Sequence, residues 1–367
     1  MKEMNQYRVG IIGATGMVGQ RFISLLKDHP WFKVTCLAAS ARSAGKKYAE
    51  AVGERWAFEW PIPDYAKDMV IVDASDIDAV AAQVDFCFCA VDMKKDEART
   101  LEESYAKHEV PIVSNNSACR GLEDVPMVVP EINAAHLEVI DTQRKRLGAR
   151  YGFIAVKPNC SIQSYVPALT PLLDFEPTEI SVCTYQAISG AGKTFRTWPE
   201  MVDNVIPYIG GEDEKSENEP LKLWGTVEDK GNGKVIVNAQ KPVISAQCLR
   251  VAASDGHMAA VSVRFNKKVT KEQILERWAN YETEAQRLEL PNAPKPFLQY
   301  FEDPSRPQTR LDRDFQNGFG VSIGRLREDK IFDWKFVCLS HNTIRGAAGG
   351  AILTAELLCR KGYIVAK

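Results

Sequence analysis

A glycine-rich turn near the start of the chain constrains the fold more than any other feature. An apolar run, Tyr7–Ile12, enters the turn, and residues 17–27, whose apolar positions have helical spacing, leave it. A turn of this kind joins a buried strand to a helix whose first N–H groups can face a pyrophosphate. The pattern therefore predicts a dinucleotide site in a Rossmann-like domain. The residues expected at that site are Gly13, Thr15, Gly16, Met17 and Val18, with Gly19 allowing the helix to pack closely on the sheet.

The first third of the chain continues as short apolar runs that alternate with helical stretches. This alternation is typical of a doubly wound parallel sheet. Further strands are predicted at Val34–Ala39, Val70–Asp73, Phe86–Ala90 and Pro111–Ser114, and helices at Met17–Lys27 and Asp92–Lys107.

The second half follows a different pattern, with longer runs in which apolar and polar residues alternate. Alternation of this kind indicates a mostly antiparallel sheet with one covered face, in a domain of α+β type. Strands are predicted at Ile180–Ile188, Leu249–Ala253, His257–Phe265, Gly320–Arg325 and Lys330–Leu339, and helices at Lys271–Leu288 and Thr343–Arg360. The acidic stretch 210–233 is predicted to be a loop and 291–307 an extended connection.

The end of the second strand indicates which dinucleotide is bound. NAD sites place a carboxylate there to bind the adenosine ribose, but here the strand is followed by Ser40, Ala41, Arg42 and Ser43. Two hydroxyls and a guanidinium suit a ribose 2′-phosphate, which a carboxylate would repel. The sequence therefore predicts NADP as the cofactor.

Cys160 is the candidate nucleophile. It follows a predicted strand that ends at Pro158 and precedes a predicted helix, 161–173, whose N-terminus would lower the pKa of the thiol. A cysteine nucleophile needs a partner that titrates near neutrality, and His257, after the turn 254–256, is the preferred candidate over His341. The remaining histidines, His29, His108 and His136, are predicted to lie on the surface. Arg250 could bind a substrate carboxylate through two parallel hydrogen bonds.

Taken together, these motifs resemble those of the aspartate-semialdehyde dehydrogenase family, in particular its archaeal and fungal branch. The resemblance extends over essentially the whole chain. It rests on Gly13–Gly19, Ser40–Ser43, Ser117–Arg120, Pro158–Ser161, Thr184–Gly190, Glu219–Lys222, and Arg250 with His257 seven residues later.

The resemblance implies a reaction and a role for each residue. The reaction would be NADPH-dependent reductive dephosphorylation of L-aspartyl 4-phosphate to L-aspartate 4-semialdehyde through a thioester on Cys160. His257 would act as general acid and base and Gln186 would orient the acyl group. The residues implied for binding are Arg120, Asn159 and Lys222 for phosphate, Arg250 for the α-carboxylate, Glu219 for the α-ammonium group, and Ser189, Gly190 and Asn342 for the nicotinamide.

The resemblance also implies how the domains are divided. The final helix would return to the first domain, so that residues 1–157 and 343–367 form the NADP-binding domain and residues 158–342 form the catalytic and dimerisation domain. The family assembles as homodimers or dimers of dimers, and a homodimer or homotetramer is expected here.

Composition excludes several other classes of protein. The net charge is -2, with no basic patch for nucleic acid, and no apolar run approaches the ~20 residues of a membrane span. The 9 Cys include no CxxC pair, which favours a reducing, cytoplasmic location, and no cluster has zinc-like spacing. The polar start, Met1–Tyr7, is not expected to be a signal peptide.

Two alternative functions remain open on the sequence alone. Malonyl-CoA and succinyl-CoA reductases share the resemblance and differ in the acyl carrier, although Arg120 together with Lys222 favours a phosphate. A redox sensor that binds NADP without turnover would need the glycine turn and a reactive thiol, but not Gln186, Arg250 and His257 at this spacing. N-acetylglutamyl-phosphate reductases place their cysteine in a Gly-Cys-Tyr-Pro setting, which Asn159-Cys160-Ser161 does not match.

Overall fold

The first domain is built on a six-stranded parallel sheet. A computed structural model describes residues 6–367, so the predicted absence of a signal peptide at the N-terminus falls largely outside the described residues. The strand order is β3-β2-β1-β4-β5-β6, which is the Rossmann order. The strands are β1 (Tyr7–Ile12), β2 (Phe32–Ala39), β3 (Val72–Asp73), β4 (Phe86–Cys89), β5 (Ile112–Ser114) and β6 (Ile154–Val156). The helices are α1 (Met17–Leu25), α2 (Tyr48–Val52), α3 (Asp64–Lys67), α4 (Ile77–Ala81), α5 (Lys95–Lys107) and α6 (Ile140–Leu147).

The second domain contains a seven-stranded mixed sheet. Its order is β13-β14-β15-β12-β7-β11-β8, and four of its six strand pairs are antiparallel. The strands are β7 (Pro177–Gln186), β8 (Val205–Ile206), β11 (Val243–Val251), β12 (His257–Phe265), β13 (Leu298–Phe301), β14 (Val321–Glu328) and β15 (Trp334–Ser340), and a separate hairpin joins β9 (Thr226–Asp229) to β10 (Lys234–Val237). The helices of this domain are α7 (Val166–Leu169), α8 (Glu212–Leu223), α9 (Lys271–Ala279), α10 (Glu284–Arg287) and α11 (Thr309–Asp312), and the last helix of the chain is α12 (Gly349–Arg360). The predicted fold class, a Rossmann-like domain joined to an α+β domain, is confirmed.

The C-terminal helix α12 packs against the first sheet. Nearly all of its residues are buried, and Leu353 and Leu357 share a core with Phe22, Phe86 and Phe88. A helix that is apolar on all sides needs burial on all sides. This packing supports our assignment of residues 343–367 to the first domain, which stays a prediction.

The acidic stretch 210–233 is where the sequence prediction of a loop is wrong. It forms helix α8 and strand β9, which pairs with β10 directly after this stretch. Glu and Lys are good helix formers, and three acidic residues in the first turn of α8 interact favourably with the helix dipole. The many charged residues of this stretch led to the prediction of a loop. The helix forms because one of its faces is buried against the rest of the protein.

Two predicted helices also differ from the structure. The segment 271–288 divides into α9 and α10, each started by its own capping box, at Thr270 and Thr283. The segment after Cys160 consists of turns until α7 begins at Val166, so Cys160 is not at the N-terminus of a regular helix.

Two of the histidines predicted to lie on the surface are buried. His29 contacts Glu356 and His136 contacts Asn133 and the Gly225 carbonyl, while His108 is exposed. None of the helices in residues 6–367 is long and apolar enough to cross a membrane.

Candidate active site

The candidate catalytic residues lie at the strand ends of the two sheets. Gln186 ends β7 and is the register partner of Arg250 on β11, while His257 begins β12, which runs antiparallel to β7. All three therefore lie at the same edge of the second sheet. Cys160 follows β6 at the carboxyl edge of the first sheet, where ligands of Rossmann domains bind.

Cys160 and His257 form a close pair. The Cys160 Sγ lies 3.4 Å from His257 Nε2, and His257 is fully buried. The backbone N–H of Ala187 donates to His257 Nδ1 at 3.0 Å, so in the neutral ring the proton is on Nε2 and points at the sulfur. In this tautomer His257 is a hydrogen-bond donor to Cys160.

The ionisation of this pair differs from the simple sequence expectation. Burial, and then the nearby Arg250 guanidinium, lower the pKa of His257 to about 3, so the ring is neutral at pH 7. Burial and the Glu212 carboxylate raise the pKa of Cys160, and Lys157, Arg120 and Arg250 oppose that rise. Because no regular helix begins at Cys160, the groups that favour its thiolate are the side-chain cations Lys157, Arg120 and Arg250.

Glu212, at the start of α8, connects several residues of the site. It accepts hydrogen bonds from Asn159 Nδ2 at 2.9 and 3.0 Å, from Gln186 Nε2 at 3.1 Å and from Lys215 Nζ at 2.8 Å. Burial raises the pKa of Glu212, but these donors, Lys215 first, bring it below its ordinary value. The Asn159 Oδ1 accepts from Ser161, so both polar atoms of the Asn159 side chain already have protein partners.

Arg120 and Glu219 form a second connected pair. The Arg120 Nη1 donates to Glu219 Oε1 at 2.9 Å, and Glu219 Oε2 accepts the backbone N–H of Asn159 at 2.5 Å. The Nε of Arg120 is buried without a hydrogen-bond partner, although Arg120 lines a groove of about 660 Å³ beside α8. An unpaired guanidinium N–H at a groove is suited to an anion.

The contacts of Lys222 disfavour the predicted role in phosphate binding. Its Nζ donates to the carbonyls of Arg120, Leu122 and Val125 at 2.7, 2.6 and 3.0 Å, and the residue is buried. These bonds use all three N–H groups of the ammonium. Lys222 therefore secures the loop that carries Arg120. Lys215 lines the same groove as Lys222, but its Nζ donates to Glu212 and to no backbone carbonyl.

Two glycines allow close approaches at the reacting pair. A Cβ on Gly190 would lie 2.8 Å from Arg250 Nη1 and 3.0 Å from the His257 ring, and a Cβ on Gly346 would lie 2.8 Å from Cys160 Cβ. Ser189, beside Gly190, accepts a hydrogen bond from Asn342 Nδ2 at 2.8 Å. The predicted nicotinamide residues Ser189, Gly190 and Asn342 thus lie next to the Cys160–His257 pair.

The glycine turn has the geometry that a pyrophosphate requires. Gly13 has φ +87°, and a Cβ there would lie 2.3 Å from the Ala90 carbonyl oxygen. Gly16 precedes α1 with no side-chain cap, and the first turn of α1 has no acidic residue. A Cβ on Gly16 would meet only the Gly13 oxygen, at 3.6 Å, so the space in front of the helix is open. These features fit a bound anion at the N-terminus of α1.

A cleft extends from the glycine turn toward the second domain. Two adjoining cavities of about 560 Å³ each share Met17, and one of them is also lined by Thr15 and the other by Ser189. Val18 follows Met17 in the first turn of α1 and is half-buried. The cleft therefore joins the predicted phosphate-binding turn to the residues beside Cys160.

The residues predicted to contact the 2′-phosphate follow β2. Ser40 and Arg42 are exposed, and Ser43 is buried, with its backbone N–H donating to the Ser40 carbonyl at 2.8 Å. No carboxylate follows β2 directly. Asp73, at the end of the neighbouring β3, already accepts hydrogen bonds from Ser75.

Three residues of the site were not identified from the sequence. Glu212 and Lys215 repeat the Glu-x-x-Lys spacing of Glu219 and Lys222, so a signal was present but occurred twice. Lys157 directly precedes the Pro158–Ser161 segment and lies three residues before Cys160, and its side chain is buried.

Comparison with known proteins assigns the chain to a family. Residues 8–140 match the family described as "Semialdehyde dehydrogenase, NAD binding domain", and residues 169–345 match "Semialdehyde dehydrogenase, dimerisation domain". The aspartate-semialdehyde dehydrogenase of Archaeoglobus fulgidus is 45% identical, covering 98% of this chain and 100% of that protein, and that of Schizosaccharomyces pombe is 44% identical, covering 97% and 99%. The crystal structure of the Candida albicans enzyme with NADP superposes with a TM-score of 0.87 at 38% identity, covering 98% and 100% of the two chains. As its motifs predicted, the chain belongs to the aspartate-semialdehyde dehydrogenase family.

Proposed function

We propose that this protein catalyses the NADPH-dependent reductive dephosphorylation of L-aspartyl 4-phosphate to L-aspartate 4-semialdehyde, a step in the synthesis of lysine, threonine and methionine. The observation that carries the proposal is the Cys160 Sγ, 3.4 Å from His257 Nε2. Arg250 lies beside the His257 ring at Gly190, and the neighbouring Ser189 lines the cleft that comes from the glycine turn. The names of the relatives and the NADP in the Candida albicans structure support it.

The nucleotide is assigned to the cleft that begins at the glycine turn. The backbone of Gly13 to Val18 would hold the pyrophosphate, and Ser40, Arg42 and Ser43 the 2′-phosphate. Ser189, Gly190 and Asn342 lie where the nicotinamide would reach Cys160. When bound, NADPH supplies a hydride.

The first step is attack of the Cys160 thiolate on the acyl carbon of the substrate. A carbon–sulfur bond forms, the carbon–oxygen bond to phosphate breaks, and inorganic phosphate leaves with the electron pair and takes up a proton. Arg120, with its unpaired Nε, would bind the phosphate, and Arg250 the α-carboxylate. The product of this step is a thioester on Cys160.

The second step converts the thioester to the aldehyde. After hydride adds to the thioester carbon, the Nε2–H of His257 is placed to donate to the oxyanion or to the sulfur. The oxyanion then re-forms the carbonyl and the carbon–sulfur bond breaks, which returns Cys160 as a thiolate. The cycle starts and ends on the thiolate, so no group has to remove a thiol proton in each turnover.

The structure changes which α8 residues we assign to the substrate. Glu212 contacts Gln186 and Asn159, whereas Glu219 is paired with Arg120. We therefore assign the α-ammonium group to Glu212 and a share of phosphate binding to Lys215, in place of Glu219 and Lys222.

We further infer a homodimer formed by the second domain. The description of residues 169–345 as a dimerisation domain supports this, as do Tyr185, Val205 and Val243, which are exposed on the second sheet. Light scattering of the purified protein would distinguish a dimer from a tetramer. All nine cysteines are unpaired thiols, which fits the proposed cytoplasmic location.

The decisive experiment is the reverse reaction. Aspartate semialdehyde, inorganic phosphate and NADP should yield NADPH, and omission of phosphate should abolish the signal. C160A should lose turnover while it still binds NADPH, and activity of C160A near that of the wild type would contradict the thioester. Turnover only of malonyl-CoA or succinyl-CoA with NADPH would replace the proposed substrate, and turnover of none of them would favour the redox sensor.

A further inference from the structure

Arg21 is a buried cation without a polar partner in the protein. It lies in the second turn of α1, and only 6% of its surface is exposed. Within residues 6–367 its guanidinium makes no hydrogen bond, its Nε is buried, and no carboxylate oxygen lies within 4.0 Å of its nitrogens. Buried charges are normally paired or fully hydrogen-bonded. An arginine in this state is suited to an anion that the protein itself does not supply.

Two aromatic rings hold the Arg21 guanidinium in place. Its Cζ lies 4.1 Å from the centre of the Phe58 ring and 5.4 Å from that of Trp60, and the two rings stack on each other with their centres 4.8 Å apart. A guanidinium that stacks on a ring keeps the N–H groups in its own plane available for hydrogen bonds. Burial lowers the pKa of Arg21, and Asp255 and Asp314 act in the opposite direction. An arginine remains protonated at neutral pH, so the rings fix the position of this charge without neutralising it.

Arg21 lines the cavity that carries the cleft from the glycine turn into the second domain. Met17 and Ser189 line the same cavity, which has a volume of about 560 Å³. Arg21 follows Met17 by four residues, so the two share one face of α1 and are separated by about 6 Å along its axis. Helical side chains lean toward the N-terminus of their helix, which directs Arg21 toward the glycine turn. The segment from Gly10 to Gln20 contains no lysine or arginine, so that turn offers a phosphate only N–H groups and the helix dipole.

The other cations of this cavity differ from Arg21 in their surroundings. Arg313 already donates to Ser254 Oγ at 3.0 Å. Lys193 and Arg196 are exposed, so water screens their charge. Of these four residues, Arg21 alone combines burial with an unpaired guanidinium, and its charge acts at close range in a poorly solvated place.

We propose that Arg21 is a cofactor-binding residue whose guanidinium donates to the pyrophosphate oxygens of the nucleotide from the side of α1. The inference rests on the proposed function in that the nucleotide lies in this cleft. Hydrogen bonds from a guanidinium to phosphate oxygens are charge-assisted and can form in parallel pairs. NADPH and NADH both contain the pyrophosphate, so Arg21 contributes affinity for either nucleotide and does not select between them. The selection is left to Arg42 and the 2′-phosphate.

The test is the binding of three nucleotides, measured by titration calorimetry without substrate, so that no turnover is needed. NADPH contains both the pyrophosphate and the 2′-phosphate, NADH contains only the pyrophosphate, and adenosine 2′-monophosphate contains only the 2′-phosphate. R21M removes the charge and keeps an apolar contact with Phe58. It should raise the dissociation constants of NADPH and NADH by the same factor, about 10- to 100-fold, and leave that of adenosine 2′-monophosphate within about twofold of the wild type.

Two variants provide the comparison. R42A should show the complementary pattern, with weaker binding of NADPH and adenosine 2′-monophosphate and unchanged binding of NADH. Lys27 is exposed just beyond the end of α1, so K27M changes the net charge by the same amount and should bind all three nucleotides like the wild type.

A folded R21M with wild-type dissociation constants overturns the inference, and R21Q gives the same test if the methionine variant does not fold. A loss confined to NADPH and adenosine 2′-monophosphate also overturns it, because Arg21 would then contact the 2′-phosphate. A wild-type protein that binds NADPH but lacks the proposed turnover refutes the function, whereas normal turnover with unchanged binding by R21M refutes only the role of Arg21.

Discussion

Replacement of Lys222 by methionine should weaken the fold rather than the binding of phosphate. The ammonium group donates to three backbone carbonyls, and each charge-assisted hydrogen bond is worth about 1.5–3 kcal/mol. Burial also costs the ammonium group, since it lowers the pKa of Lys222 to about 8, equivalent to roughly 3 kcal/mol. Methionine removes both contributions, and the three carbonyls lose their partner. The net loss of stability should be about 1.5–6 kcal/mol.

Urea unfolding at pH 7 measures this loss. K222M should unfold at lower urea with an unchanged m-value, because the native contacts elsewhere remain. Below its transition, its KM for phosphate in the reverse direction should stay within about threefold of the wild type. K215M is the matched comparison: its partly exposed ion pair with Glu212 contributes only ~0–1 kcal/mol to stability, but its KM for phosphate should rise about tenfold or more.

The opposite pattern would refute this reasoning. If K222M kept the wild-type stability but bound phosphate poorly, Lys222 would have to leave its three carbonyls when substrate enters. The phosphate site first predicted from the sequence would then be right.

Three further predictions follow from the site and its surroundings. G346A places a Cβ 2.8 Å from Cys160 Cβ and should lower kcat by about 10- to 100-fold, measured in steady state, while the dissociation constant of NADPH is unchanged. R42A should raise the KM for NADPH about tenfold and leave kcat and the KM for NADH nearly unchanged; an equal loss with NADH would contradict a 2′-phosphate contact. Burial lowers the pKa values of His257 and His341, to about 3 and about 4, so the unfolded chain binds more protons below pH 6.5 and the free energy of unfolding should fall as pH drops from 6.5 toward 4. H257Q should flatten this slope in acid denaturation curves, and an unchanged slope would show that His257 is charged in the folded protein.

Strands were predicted well where one or both faces are buried. The bounds of β1 and of β12 match the predicted runs, because continuous apolar residues in the first and strict alternation in the second leave one consistent burial pattern. Helix α8 was missed for the converse reason. Its buried face includes Glu212, Ser216 and Lys222, polar residues whose burial depends on partners elsewhere in the chain.

The site itself was predictable only in part, for a related reason. Few other residue types suit the proposed roles of Cys160, His257, Gln186 and Arg250. The last three were also predicted to lie on strands, and the structure places them at the same end of neighbouring strands in the second sheet. The tautomer of His257 depends on the N–H of Ala187, and the pKa of Cys160 depends on its burial and on Glu212, Lys157, Arg120 and Arg250 together. Neither interaction has a signature in the local sequence.

The two Glu-x-x-Lys pairs of α8 show why spacing alone could not select the substrate residues. Glu212 with Lys215 and Glu219 with Lys222 are seven residues apart, which is close to two full turns, so both pairs lie on the same face of the helix. The rise of about 1.5 Å per residue separates them by roughly 10 Å along the axis. The first pair lies at Gln186 and Asn159, while the second meets Arg120 and the carbonyls of the 120–125 loop. The two pairs have the same spacing and lie on the same helix face, so the sequence cannot tell them apart. They differ in their contacts because the start of α8 lies at Gln186, at the end of β7.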